Sequence, residues 1–156
     1  MIRTLYLLVL VCLISGCSIR PKDVTEPHLV VNIQAASNIN PNTEGKPSPV
    51  VLRIYELADS QAFEQADFVH LYNDEQKTLK DSLLLVRHLP SVMPDKSSQQ
   101  VLPLASGTKY IGVIAGFANY HDAKNKVIYQ PMILRSTAIN IELDGINLSV
   151  TGEREE

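Results

Sequence analysis

The chain has 156 residues, 45% of them hydrophobic and 20% charged, and carries a net charge of −3 with histidine neutral. That length suits one domain with a sizeable core. The acidic balance supplies no basic surplus for holding nucleic acid.

Arg3 provides a positive start, residues 5–14 form an unbroken apolar run, and Ser15 and Gly16 are small. That order is a secretory signal peptide. The run is too short to span a bilayer, which takes about 20 apolar residues. Cys17 follows the small pair directly, and Leu13-Ile14-Ser15-Gly16-Cys17 resembles the bacterial lipobox. The resemblance implies a lipid on the Cys17 thiol, cleavage after residue 16 and acylation of the new amine. One acyl chain binds a membrane only marginally, at roughly 0.8 kcal/mol per buried methylene, so three chains would hold the protein there permanently. Ser18 rather than aspartate after the cysteine implies, by resemblance to sorted lipoproteins, the outer membrane and its periplasmic face. The covalent lipid on Cys17 is the only attached group expected; no cofactor is.

Cleavage before Cys17 leaves 140 of the 156 residues, with 13 basic groups against 17 acidic ones and a charge of −4. Cys12 leaves with the signal and Cys17 carries lipid, so no disulfide can form within the domain. Stability must then come from packing. Residues 17–27, with Pro21 and Pro27, read as a lipidated tether.

Over 28–36, Leu29, Val31, Ile33 and Ala35 alternate with Val30, Asn32 and Gln34, as in a half-buried strand. Residues 37–49 hold three prolines and a glycine among small polar groups and read as a loop. It is long for a connection between strands, and long loops on a rigid scaffold often carry function. Over 50–57, Val50, Leu52 and Ile54 make one face while Val51, Tyr55 and Leu57 make the other apolar too, which predicts a strand covered on both sides.

Asp59 or Ser60 can cap a helix. Phe68, Leu71 and Tyr72 share a helical face that Phe63 does not join, which predicts two short helical pieces near 60–65 and 66–73. Tyr55, Phe63, Phe68 and Tyr72 are read as packing this insertion onto the sheet. Strands follow at 83–89 and at 99–104, the second with Pro103, which suits an edge. Residues 109–118 are the most hydrophobic stretch and the expected central strand; Gly112 and Gly116 leave room there for a neighbouring backbone or large side chain. Two more strands are expected at 127–134 and 137–143. Asp144-Gly145 is a hairpin turn, after which Ile146, Leu148 and Val150 alternate in a last strand. Residues 153–156 are a charged end. The sum is an all-β antiparallel sandwich over 28–152 with one small helical insertion at about 60–73.

No nucleophile elbow or phosphate loop is present. His28, His70, His88 and His121 lie in separate elements without zinc-ligand spacing. No catalytic or metal residue is therefore nominated. A lipoprotein whose sandwich takes a small ligand or glycan is the alternative reading; it requires a concave pocket with converging polar groups.

The stretches 35–41 (AASNINP) and 47–57 (PSPVVLRIYEL), then Phe63, Ala66-Asp67-Phe68, Leu71-Tyr72 and the 110–115 run YIGVIA, resemble the TssJ family, the outer-membrane lipoproteins of type VI secretion systems. The likeness keeps the order of elements over most of the mature chain. It implies a transthyretin-like sandwich without catalysis. It also implies a partner, the periplasmic C-terminal region of the inner-membrane protein TssM, within a complex that includes TssL. In that family the loop between the first two strands is implicated in holding TssM. Here that loop is 37–49, and the candidate contacts are Asn38, Asn40, Asn42, Glu44 and Lys46, with Ile39 as an apolar anchor.

Overall fold

The computed structural model describes residues 26–131 and 136–152. The predicted signal, the lipidation of Cys17, the tether up to residue 25, the end of the sixth predicted strand and the charged tail lie outside the described residues. Eight strands appear in the order β1 (His28–Ala35), β2 (Leu52–Leu57), β3 (Leu83–His88), β4 (Ser97–Pro103), β5 (Tyr110–Ala115), β6 (Lys126–Tyr129), β7 (Ser136–Asp144) and β8 (Asn147–Gly152). Between β2 and β3 come α1 (Gln61–Gln65), α2 (Phe68–Asn73), α3 (Glu75–Leu79) and a single 3₁₀ turn, Lys80–Ser82.

The strands make two sheets, β4-β1-β7-β8 and β3-β2-β5-β6. Neighbours are antiparallel except β1 and β7, which run parallel. The alternation in β1 decides which side faces inward. Leu29, Val31, Ile33 and Ala35 are buried with Ile139, Ile141, Leu143 and Leu148 of their own sheet, against Leu52, Ile54, Ile111, Val113 and Ala115 of the other. This is the sandwich expected from the sequence.

The second sheet is covered on its far side as well, as the two apolar faces of β2 require. Tyr55, Leu57 and Ile114 point away from the sandwich and are buried under Phe63, Leu71 and Leu79. The rings of Tyr55 and Phe63 lie 5.5 Å apart. Burial pushes the Tyr55 phenol up to about 12, so it stays neutral in the layer. The room left by Gly112 in β5 and by Gly116 just after it is used here. A Cβ on Gly112 would come within 2.6 Å of the Phe63 ring, and one on Gly116 within 3.2 Å of Tyr72.

Each helix is one to two turns, too short to persist alone, and each is fixed at its ends by side chains. Asp67 caps α2 by accepting from the His70 backbone N–H at 2.9 Å, and its other oxygen lies 2.8 Å from His70 Nδ1. Those bonds hold the Asp67 carboxyl below its usual range. Asp74 caps α3 through the Lys77 N–H. At the other ends, cations rise from the sheet. Lys126 Nζ of β6 donates to the carbonyls of Phe63, Glu64 and Ala66 at the end of α1. Arg53 of β2 donates to the Tyr72 carbonyl at 2.7 Å, pairs with Glu75 at 3.3 Å and lies 4.1 Å over the Tyr72 ring. Lone carbonyls at a helix end attract such cations. Two helical pieces were expected; α3 and the 3₁₀ turn extend the layer to residue 82. Helix α3 shows one apolar signal only, Leu79, which is why periodicity misses it.

Candidate partner-binding loop

Strand β1 runs from His28 to Ala35, after which the 37–49 loop leaves. His28 and the loop therefore sit at opposite ends of that strand. The loop end also carries the β7–β8 turn and the segment after β5. Those neighbours brace the loop.

Its first half turns inward. Ile39 is fully buried in the core between the sheets. Expected as an apolar anchor for a partner, it instead nails the loop to its own domain, because the apolar side chain is better buried than left in a polar loop. Asn40 is 5% exposed and holds φ at +47°, a left-handed conformation that asparagine tolerates better than most residues. Its Nδ2 donates to the Pro49 carbonyl at 2.7 Å and its Oδ1 accepts the Ala118 N–H at 2.7 Å. Its own N–H donates to the Gly145 carbonyl at 2.8 Å. The buried side chain thus ties both ends of the loop to the segment after β5, and the backbone of the same residue ties it to the β7–β8 turn. Asn38 adds a second tie, donating to Asp144 at 2.8 Å and accepting from the Gly145 N–H at 3.2 Å.

The second half projects. Residues 42–47 are exposed. Asn42 Oδ1 accepts from the backbone N–H groups of Glu44 and Lys46, both at 2.9 Å, and Asn42 N–H donates to the Lys46 carbonyl at 2.8 Å. Gly45 supplies the positive φ, +75°, that closes the turn. Glu44 and Lys46 pair at 2.7 Å while remaining largely in solvent, an ion pair worth no more than about 1 kcal/mol to stability. A small, closed turn with one carboxylate and one ammonium is thereby held at the surface. The sequence nominated six loop residues. The structure divides them into Asn38, Ile39 and Asn40, which brace the loop, Asn42, which shapes its tip, and Glu44 and Lys46, which face outward. The braces outside the loop, Ala118 and the Asp144-Gly145 turn, were not nominated. Only the turn had a signal of its own, the Asp-Gly pair.

Glu56 is engaged within the fold: it is buried and accepts from Arg87 Nε at 3.1 Å, from the Ala105 N–H at 2.6 Å and from Thr108 Oγ1 at 3.1 Å. Among the described residues no group of three or more His, Cys, Asp or Glu side chains is placed to hold a metal. Two of the clefts among the described residues open to solvent. One, of about 540 Å³, lies on the bare face of the first sheet beside Asn32, Gln99 and Asn140, whose amides bond one another at 2.7 and 2.9 Å. The other, of about 280 Å³, lies between α2 and the segment after β5, beside Phe68, Tyr72 and Tyr120.

Residues 27–146 match the family model T6SS-SciN, described as type VI secretion lipoprotein, VasD, EvfM, TssJ, VC_A0113. Among solved structures, the T6SS lipoprotein TssJ1 from Pseudomonas aeruginosa is 24% identical with a TM-score of 0.77, over 84% of this chain and 99% of that one; at that identity the likeness shows the fold. A chain of a structure described as a type VI membrane complex is 27% identical with a TM-score of 0.70, over 80% of this chain and 97% of that one. A chain of a structure described as the T6SS protein TssM C-terminal domain (869-1107) from EAEC is 25% identical with a TM-score of 0.63, over the same shares of the two chains. No curated protein matches the chain.

Proposed function

This chain belongs to the TssJ family of type VI secretion lipoproteins, and on that premise we propose that it anchors the secretion membrane complex by holding the periplasmic C-terminal region of TssM. In this reading residues 1–16 are removed, Cys17 carries the lipid, 17–27 are the tether and 28–152 are the holding domain. The protein sits on the periplasmic face of the outer membrane, in an assembly that includes TssL, and its work is adhesion without catalysis. The neighbours described as a type VI membrane complex and as a TssM C-terminal domain support TssM as the partner.

One observation carries the proposal: the projecting tip at 42–47 is closed on itself and braced by Asn40, at the end of β1 opposite His28. A loop already ordered loses little conformational freedom on binding. Its position away from the tether points it into the periplasm, where an inner-membrane partner must reach.

The test is calorimetry of the soluble 23–156 domain with the periplasmic C-terminal region of the TssM from the same organism. A saturable one-to-one complex is expected. Replacing the whole of 38–46 would also strip Ile39 and Asn40 from the core, so the informative variant replaces 42–46 alone with a Gly-Ser turn. It should keep the thermal midpoint and lose at least tenfold in affinity. Unchanged affinity removes the tip from the reading.

A further inference from the structure

Strand β4 is the outer strand of the first sheet, and the direction of its backbone groups follows from two bonds. Ala35 N–H donates to the Lys96 carbonyl at 3.0 Å, and Leu104 N–H donates to the Pro27 carbonyl at 2.9 Å. In an antiparallel ladder the bonding direction alternates along the strand. Ser98, Gln100 and Leu102 therefore bond inward to β1, and Ser97, Gln99, Val101 and Pro103 turn their backbone groups outward. Pro103 has no N–H, and its carbonyl is taken by Arg87. That leaves three outward N–H groups, on Ser97, Gln99 and Val101, for which no described residue is an acceptor.

Exposed strand edges are usually blunted by charged residues, prolines or bulges, because they invite pairing. From Ser97 to Leu102 there is no charge and no proline, and the pairing with β1 runs through seven positions without a shift. The side of the molecule is sticky as well. Val101 is 61% exposed and Met93, in the approach to β4, 51%. Leu84 and Leu85 are exposed on β3, the edge of the other sheet on that side. Among the described residues only Val69 is a large exposed apolar group elsewhere.

We propose that the open edge of β4 is a second binding site, which takes an extended polypeptide segment as an added strand, and that the segment belongs to the partner that the loop tip holds. This rests on the proposed function. Three outward N–H groups in a row are met by the carbonyls of an extended chain, the chemistry of strand addition. Contiguity selects the partner. Asp95 N–H donates to the Ala36 carbonyl at 3.2 Å, so β4 begins where the loop begins, and a segment leaving the tip can run straight down the edge. A second copy is the other occupant with the right chemistry. Two β4 strands paired about a two-fold axis run antiparallel, which sends the two His28 ends, and with them the two tethers, in opposite directions. Both tethers lead to one membrane, and each of the ten residues from 18 to 27 extends only about 3.5 Å.

The experiment is amide hydrogen exchange by NMR on the labelled 23–156 domain, alone and with the TssM periplasmic C-terminal region. Alone, the amides of 98, 100 and 102 should be protected while those of 97, 99 and 101 exchange freely. In the complex the latter three should slow at least tenfold. Ser97→Pro, at the first residue of β4, removes one outward N–H and no bond to β1, so it should keep the thermal midpoint and weaken binding at least tenfold; Val101→Lys should do the same. A complex that depends on the tip but leaves 97, 99 and 101 exchanging freely overturns strand addition and spares the loop. Protection of the same amides in the domain alone, with a dimer in sedimentation, overturns the partner in favour of a second copy. No complex at all overturns both readings.

Discussion

Asn40 does what no neighbouring residue type would do. It accepts a positive φ, donates to one end of its loop and receives a backbone N–H from another segment, all at 5% exposure. Asn40→Ala removes two part-buried hydrogen bonds, to the Pro49 carbonyl and from the Ala118 N–H, at about 0.5–1.5 kcal/mol each, and puts alanine where the left-handed conformation suits asparagine better, at roughly 1 kcal/mol. We expect a loss of about 2–4 kcal/mol in urea unfolding. Asn40→Gly relieves the second cost and not the first, so it should be milder by about 1 kcal/mol; equal losses would mean that backbone strain plays no part. The role of Asn40 was half legible. A polar loop with one isoleucine hints at an inward anchor, and Asn-Pro marks a turn. Nothing local says that the side chain will meet Ala118, 78 residues away. Reading Ile39 as a partner anchor followed the composition of its loop, and burial in the core overrode it.

At the scale of elements, the strands were legible because each carries its own pattern. Two-sided burial of β2, the edge position of β4 and the space beside Gly112 all follow from side chains a few residues apart. Sheet order was not legible, since the parallel pairing of β1 with β7 joins His28 to Ser136 and no short motif records it. The clamps on the helical layer escaped for the same reason. Lys126 looks like an ordinary surface cation, yet it ends a one-turn helix 60 residues earlier in the chain. Burial draws its ammonium below the usual lysine range, with the Asp67 and Glu64 carboxylates opposing. Lys126→Met keeps the apolar stem and removes the donor, leaving three carbonyls of α1 without it. The expected cost is about 1–3 kcal/mol, accompanied by faster proteolysis within residues 58–67 and little change in β1 or β7. Uniform destabilisation, with no local opening, would show that α1 is held by Phe63 alone.

The whole molecule places His28, to which the proposed tether would join, and the proposed grip at opposite ends of β1. The two cores lock the helical layer, both sheets and the base of the loop together, so a pull on the tip is carried through β1 to residue 28. Such a body transmits force only if its far end is fixed. The mature domain, at −4, has no basic surplus to hold an anionic surface, and among the described residues no helix is long and apolar enough to cross a membrane. In the function proposed above, the attachment is the lipid on Cys17. Exchanging residues 1–17 for a conventional cleaved secretory signal tests this without touching the domain. The protein should move from the membrane pellet to the soluble periplasmic fraction, keep its thermal midpoint, still bind the TssM region in solution and fail to support secretion. Persistence in the pellet in cells lacking TssM would mean that a surface of the domain itself holds the membrane. Persistence only where TssM is present would trace the retention to the partner. If secretion continued with the protein fully soluble, the domain would serve the complex by binding alone, and the transmission of force from tip to tether would have no part in its function.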